Sequence, residues 1–154
     1  MLDHPNQLTK EFISNLFNRE ELDLDSFDFE PVGSGQVGDC YRINLSWNNV
    51  KDSPVSLIAK CPAEDASSRD TARNLHLYEI EVSFYQHLSA RCSARVPKPY
   101  FVDYDPKTSD GILLLEDMHP AKQIPQMDGC SSDEVAMVLK EAAALHKSYW
   151  NDET

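Results

Sequence analysis

The sequence has 154 residues, of which 41% are hydrophobic and 26% charged, and this composition suits one globular domain with a hydrophobic core. The 26 acidic residues outnumber the 14 basic ones, giving a net charge of −12; without a basic patch interleaved with aromatic residues, this argues against binding to nucleic acids or anionic membranes. No stretch of about 18 apolar residues occurs, and no basic segment precedes an apolar run at the N-terminus, so we expect neither a membrane-spanning helix nor a signal peptide.

The first part of the chain is predicted to form one helix and three strands. Apolar residues recur at helical spacing near the N-terminus, at Leu8, Phe12, Ile13, Leu16 and Phe17. After an acidic connector, residues 26–32, 41–47 and 55–61 are predicted strands, in which alternation is clearest over residues 41–47. Their short connections indicate an antiparallel meander.

The second part is predicted to form a helix, a hairpin and a last helix. A polar loop leads into a helix over about residues 71–90, and strands at 100–104 and 112–118 are joined by a turn. After an irregular connector over residues 119–129, Ser131 and Glu134 form a capping box. The apolar face of the last helix carries Val135, Val138, Leu139, Ala142, Leu145, His146 and Tyr149. We interpret His146 as a packing residue.

The cysteines do not indicate a metal site. They are widely spaced, at Cys40, Cys61, Cys92 and Cys130, and no C-x-x-C motif occurs. This pattern makes zinc binding improbable and does not indicate disulfides. We therefore expect buried or half-buried thiols in a reducing cytoplasm.

Between the first two strands lies the motif Gly33-x-Gly35-x-x-Gly38. In a dinucleotide-binding fold this spacing opens a helix, whereas the residues after Gly38 alternate as a strand, so that fold is disfavoured. A glycine loop between two antiparallel strands is the arrangement that covers the phosphates of ATP in kinases. Taken alone, the motif fits an ordinary glycine-containing hairpin equally well.

A kinase also requires a lysine on the next strand and a carboxylate on the following helix. Lys60 ends the third strand, and the helix offers Glu79 and Glu81. Glu81 lies in line with an apolar stripe, and Glu79 lies on the opposite, solvent-facing side. The stripe is formed by Leu77, Phe84 and Leu88. A carboxylate in such a stripe is costly unless it is paired, so we expect a Lys60–Glu81 ion pair; the alternative is that Glu81 reaches water at the edge of the stripe.

Together these segments resemble the N-terminal lobe of small-molecule kinases of the aminoglycoside-phosphotransferase-like superfamily, and within it the ecdysteroid-kinase-like or choline-kinase-like group. The resemblance runs from about residue 27 to residue 150. It rests on GSGQVGDCYRI from Gly33, LIAK up to Lys60, YEIEVSFY from Tyr78, VPKPY from Val96, GILLLEDM from Gly111 and ALHKSYW from Ala144.

The resemblance implies an α+β fold: a kinase-like N-lobe with a five-stranded antiparallel sheet and one helix packed on it. Residues 1–25 would form an N-terminal helix and connector, residues 26–118 the lobe itself, and residues 119–154 a hinge connector with the first helix of a second lobe. Each predicted site residue follows from this alignment. Gly33, Ser34, Gly35 and Gly38 would cover the phosphates of ATP, Lys60 would contact them while paired to Glu81, backbone groups of Glu116 and Met118 would contact adenine, and Ile58 would line its pocket. Cys40 stands where many protein kinases have valine.

Phosphoryl transfer further requires a residue that positions the hydroxyl nucleophile and ligands for Mg²⁺. In the resembled family these come from an HGDxxxxN-like loop and a later aspartate, and no histidine of this sequence is followed by Gly-Asp. We therefore expect no catalytic residue and no metal ligand in this chain, which resembles the first half of a kinase. The expected partners are ATP and a small-molecule hydroxyl substrate of unspecified identity.

Two other interpretations remain open. The chain could be a non-catalytic binding or regulatory module that retains a kinase-like lobe. It could also be an unrelated α+β domain, which a large separation between Lys60 and Glu81 would favour.

Overall fold

The computed structural model describes residues 2–33, 37–48, 52–121, 124 and 126–152. They form an α+β fold around one antiparallel sheet, which confirms the predicted class. The strands are β1 (Leu24–Pro31), β2 (Gly38–Trp47), β3 (Ser56–Pro62), β4 (Pro99–Asp105) and β5 (Asp110–Glu116). Their order across the sheet is β1-β2-β3-β5-β4, so the first three strands form the predicted meander and β5 lies beside β3.

The described α-helices begin at side-chain caps in three cases out of four. The helices are α1 (Lys10–Leu16), α2 (Ala66–Asn74), α3 (Leu77–Ser83) and α4 (Ser132–Ser148). The capping box predicted for α4 is present, because the Glu134 N–H donates to the Ser131 hydroxyl at 3.3 Å and the Ser131 N–H donates to the Glu134 carboxylate at 2.7 Å. Such pairs satisfy backbone donors that the helix itself leaves unpaired.

The single helix predicted over residues 71–90 is wrong. A helix already begins at Ala66, because the Asp65 carboxylate accepts the Ser68 N–H at 2.8 Å. It stops at Asn74, and His76 adopts a left-handed φ of 56°, which separates α2 from α3. After α3 the chain continues as a π-helical segment, Phe84–Leu88. Apolar periodicity carries no information about a left-handed residue, so the sequence pattern did not indicate the end of α2 and the start of α3.

One face of the sheet packs against α1 and forms the larger core. Strand residues at alternate positions point to this face, as the two-residue period of a strand requires. The buried members are Leu8, Ile13, Leu24, Tyr41, Ile43, Leu45, Leu57, Ala59, Cys61, Ile112 and Leu114. The N-terminal helix is therefore part of the same packed unit as the sheet.

The opposite face packs against α3 over a smaller area. Val82 of α3 contacts Leu113 and Leu115, so β5 is buried on both faces. Gly111 allows this approach, because a Cβ atom at that position would lie 2.8 Å from a methyl carbon of Val82. Real side chains do not tolerate that separation, and a glycine is needed for α3 to lie this close to the sheet.

Helix α4 lies partly outside the packed unit. Its C-terminal half is held by hydrogen bonds from the Ser93 N–H to the Ser148 hydroxyl and from the Arg95 N–H to the Glu141 carboxylate. Of the predicted apolar face, some residues are half-buried, namely Ala142, Leu145 and Tyr149, and others are exposed, namely Val135, Val138, Leu139 and His146. The interpretation of His146 as a packing residue is thus wrong, because no described residue covers that part of the face.

The cysteines occupy several environments. Cys61 is buried, Cys40 and Cys92 are half-buried, and Cys130 is exposed, which corrects the expectation for that residue. In the described part of the chain, no helix has the length and apolar character needed to cross a membrane.

Candidate functional site

Lys60 and Glu81 form an ion pair between β3 and α3, as predicted. The Lys60 ammonium donates to the Glu81 carboxylate, and the two side chains are 38% and 36% exposed. The large separation that would have favoured an unrelated α+β domain is therefore not present. Because both side chains still reach solvent, the pair is not buried in the core.

Glu81 pairs with Lys60 as predicted, but the apolar stripe in line with it is not the buried face of the helix. The side of α3 and its continuation that enters the protein carries Tyr78, Val82 and Ser89. Leu88, assigned to the buried stripe, is 36% exposed. Glu81 borders the buried face, where it reaches both Lys60 and water. The rejected candidate Glu79 instead contacts His76 of its own helix start.

The register of the sheet places Lys60 and Ile58 on the face that α3 covers. Lys60 lies opposite Cys40 of β2 and Leu113 of β5, and Ile58 lies opposite Arg42 and Leu115. Between them the alternate residues of β3 point into the core against α1. The same alternation therefore separates the packing residues of β3 from its candidate site residues.

A first cavity of about 210 Å³ lies on one side of the ion pair. It is bordered by Val37, Gly38, Asp39, Cys40, Lys60, Cys61, Leu77, Tyr78, Glu81, Val82, Gly111 and Leu113. The end of the glycine loop forms its rim at Gly38, where an added Cβ atom would lie 3.1 Å from the Cys61 carbonyl oxygen. Gly33 starts the loop with a φ of 77°, while Ser34 and Gly35 lie outside the described residues.

A second cavity of about 370 Å³ lies on the other side of the ion pair. It is bordered by Lys60 and Glu81 and also by the remaining predicted site residues, Ile58, Glu116 and Met118. Leu115, Tyr85 and Pro97 add apolar wall. Since Lys60 and Glu81 border both cavities, the ion pair stands at their junction, with the glycine loop on one side and the segment after β5 on the other.

The segment after β5 has few free backbone groups. The Glu116 N–H donates to the Lys98 carbonyl at 2.8 Å, and the Met118 carbonyl accepts from the Ala121 N–H at 2.9 Å. The Glu116 carboxylate accepts from Arg95 at 2.7 Å, which holds the pKa of this carboxyl below its usual range. Within the described residues, the Met118 N–H has no acceptor and is the group best placed to serve a ligand.

Asp117 is a site residue that the sequence reasoning missed. Its side chain is 6% exposed and accepts hydrogen bonds from Arg42 at 2.7 Å, from Ser56 at 2.8 Å and from the His119 N–H at 3.0 Å. Burial alone would raise the pKa of Asp117, but the bonds from Arg42 and Ser56 hold it below its usual range. The carboxylate thereby fixes the wall of the second cavity to β2 and β3.

Tyr78 is a second missed residue, at the other end of the site. Its hydroxyl donates to the Val37 carbonyl at 2.6 Å and accepts from the Ala63 N–H at 3.0 Å. The sequence offered the signal of a tyrosine three residues before Glu81. The partners of its hydroxyl could not be read from spacing, because both belong to loops.

A buried charge cluster fixes α2 to the start of β5. The Asp110 side chain, 3% exposed, accepts two hydrogen bonds each from Arg69 and Arg73, at 2.6 to 3.1 Å. Burial opposes ionisation, yet these bonds lower the pKa of Asp110 to about 2. Neither cavity beside Lys60 includes these three residues, so the cluster stabilises the fold rather than the site.

The described residues contain no group of three or more His, Cys, Asp or Glu side chains arranged to hold a metal ion. The arrangement provides three features. They are a cation held by a carboxylate, the end of a glycine-containing backbone loop, and an apolar recess. These features suit an elongated anion with a flat apolar end.

Comparison with protein-family models matches residues 33–148 to the ecdysteroid kinase-like family. The matched range starts at Gly33, ends with α4 and includes every residue that borders the two cavities. A search of curated proteins gave no match.

Proposed function

This chain belongs to the ecdysteroid kinase-like family, and we propose that it is the nucleotide-binding N-terminal half of an ATP-dependent phosphotransferase that acts on a hydroxyl group of a small molecule. The family places it among kinase-like phosphotransferases. The observation that carries the proposal is the Lys60–Glu81 ion pair at the junction of two cavities.

Each cavity suits one end of the nucleotide. The second cavity offers an adenine ring apolar walls at Ile58 and Leu115 and a backbone donor at Met118. From there the phosphates would extend toward Lys60 and the glycine loop, where an ammonium group and backbone N–H groups hold anions whatever the net charge of the protein. The strongly acidic composition is therefore compatible with the proposal.

Glu81 serves orientation more than stability. An ion pair that is about one-third exposed contributes on the order of 1 kcal/mol or less, because solvent screens the charges. The carboxylate nevertheless confines the flexible lysine side chain to the junction of the cavities, where a phosphate would meet it. Loss of Lys60 should consequently affect ligand binding far more than folding.

Kinase-like families generally use ATP and Mg²⁺. Because the described residues hold no cluster suited to a metal ion, we assign no step of the reaction to metal ligands of this chain. The proposal leaves the acceptor pocket and the metal ligands of the full reaction to groups outside these two cavities.

Isothermal titration calorimetry with ADP and with Mg-ATP tests the proposal. We expect measurable binding by the wild-type chain, and at least tenfold weaker binding by Lys60→Ala, because the phosphates lose their cation. Lys107→Ala is the matched control, since Lys107 lies in the exposed turn between β4 and β5. Equal affinities of the Lys60 and Lys107 variants, or no binding by the wild type, would contradict the proposal.

The alternative is a non-catalytic binding or regulatory module that retains a kinase-like lobe. The oligomeric behaviour separates the two. Val138, Leu139 and Trp150 are 68%, 62% and 75% exposed, and the half of a larger enzyme should self-associate through such a surface. A monodisperse monomer at high concentration in size-exclusion chromatography would support the module.

A further inference from the structure

We infer that the hydroxyl of Tyr78 is a positioning group that couples the end of the glycine loop, at Val37 and Gly38, to helix α3, and so holds that end in place when Glu81 is positioned to hold Lys60. The inference rests on the proposed function, since it concerns the phosphate end of the same site. It adds a residue to which neither the family match nor the sequence pattern gives a role.

A single oxygen atom joins three elements of the site. The Tyr78 hydroxyl donates to the carbonyl of Val37, where the chain leaves the glycine loop, at 2.6 Å. It accepts at 3.0 Å from the N–H of Ala63, which directly follows β3. The loop that would cover the phosphates, the strand that carries Lys60 and the helix that carries Glu81 therefore meet at this hydroxyl.

The surroundings make these hydrogen bonds difficult to replace by water. Tyr78 is 9% exposed and Ala63 is 3% exposed, so a lost partner would leave a buried polar group unsatisfied. Burial raises the pKa of Tyr78 above its usual value, which keeps the hydroxyl protonated as a donor to Val37. The ring edge also lies beside Gly38, where an added Cβ atom would meet it at 3.6 Å, an ordinary van der Waals distance.

The helical geometry links the hydroxyl to the ion pair. Tyr78 and Glu81 are three residues apart on α3, so they lie on neighbouring positions of the same helix surface and move together. If α3 shifts or rotates away from the sheet, the hydroxyl leaves Val37 at the same time as the carboxylate leaves Lys60. A phenylalanine at position 78 would retain the packing of the ring but not this link.

Hydrogen exchange on the nucleotide-free protein tests the coupling directly. In Tyr78→Phe we expect the amides of Ala63 and Gly38 to exchange at least about tenfold faster, because the hydrogen bonds that close this region are gone. Tyr104→Phe is the matched control, since it removes a hydroxyl from a half-buried tyrosine on β4. Wild-type exchange rates at both amides of Tyr78→Phe would overturn the inference.

A comparison of two ligands separates positioning from general destabilisation. Tyr78→Phe should bind ADP about five- to tenfold more weakly while its affinity for adenosine stays within about twofold of the wild type, because only ADP reaches the phosphate end. Equal weakening for both ligands would contradict a positioning role. If the wild type binds neither ligand, the proposed function fails, and the exchange experiment alone decides the role of Tyr78.

Discussion

The two faces of the sheet differ in how completely they are filled. Against α1, the residues Ile13, Ile43, Leu57, Ile112 and Leu114 are all fully buried. Against α3, the packed cluster is smaller, and two cavities flank the ion pair, which is about one-third exposed. The first face therefore contributes most of the stability, and under the proposed function the second face binds the ligand. The two-residue alternation of β2 and β3 lets one strand contribute to both faces.

The largest effect on folding is expected on the filled face. Ile43→Ala removes a fully buried side chain of the α1 core and should lower the free energy of unfolding by about 3 kcal/mol, from lost burial and the cavity left behind. Urea denaturation measures the loss. At urea concentrations below the unfolding transition, the folded variant should bind ADP with the affinity of the wild type. A tenfold weaker affinity would contradict the proposed division of roles between the two faces.

A second effect should come from pH through the Asp110 cluster. The pKa of Asp110 is lowered from 3.8 to about 2 in the folded protein. Its contribution to the free energy of unfolding is therefore complete above the pKa of the unfolded state and is lost as the pH falls from about 4 toward 2. A shift of this size corresponds to about 2 kcal/mol. Denaturation curves between pH 6 and 2.5 should show the loss.

The variant Asp110→Asn provides the control for this titration. It should be less stable than the wild type at pH 6, and the difference should shrink as the pH approaches 2. A stability difference between the two proteins that does not change with pH would show that the contacts of the two arginines stabilise the fold independently of the charge on Asp110.

Gly111→Ala should have the smallest effect on stability and a larger effect on ligand binding at the site. The added methyl group would meet Val82 at 2.8 Å and should cost about 1.5 kcal/mol as α3 moves away from the sheet. Since Glu81 moves with α3, ADP binding should weaken more than the stability loss alone explains. An ADP affinity equal to that of the wild type would show that the ion pair tolerates a displaced helix. Packing and ligand binding on this face would then be independent of each other.

Much of the fold could be predicted, because its signals are local. Alternation in β2 and the apolar run of β5 indicated strands directly, and the Ser131–Glu134 pair marked the start of α4. The left-handed His76 divides the long helix where apolar periodicity continues, so one helix was predicted in place of two. Apolar spacing carries no information about a left-handed backbone conformation at a single exposed residue.

The candidate site could be predicted only where its residues lie on regular elements. Lys60 and Glu81 were identified because strand and helix spacing constrain them. Asp117 was missed because its partner Arg42 is 75 residues away in sequence, and the hydroxyl of Tyr78 was missed because its partners are backbone groups. Such contacts depend on the assembled sheet, and no spacing within one element reveals them.

Hydrogen exchange of the wild-type chain with and without saturating Mg-ATP decides whether nucleotide binds at the junction of the two cavities. We expect slower exchange at residues 37–40, 58, 60 and 115–118, which border the two cavities, and unchanged exchange in α1 and β1 on the filled face. Protection confined to the α1 face, or absent from the amides around Lys60 and Met118, would contradict the claim that this family member binds nucleotide at the Lys60–Glu81 junction.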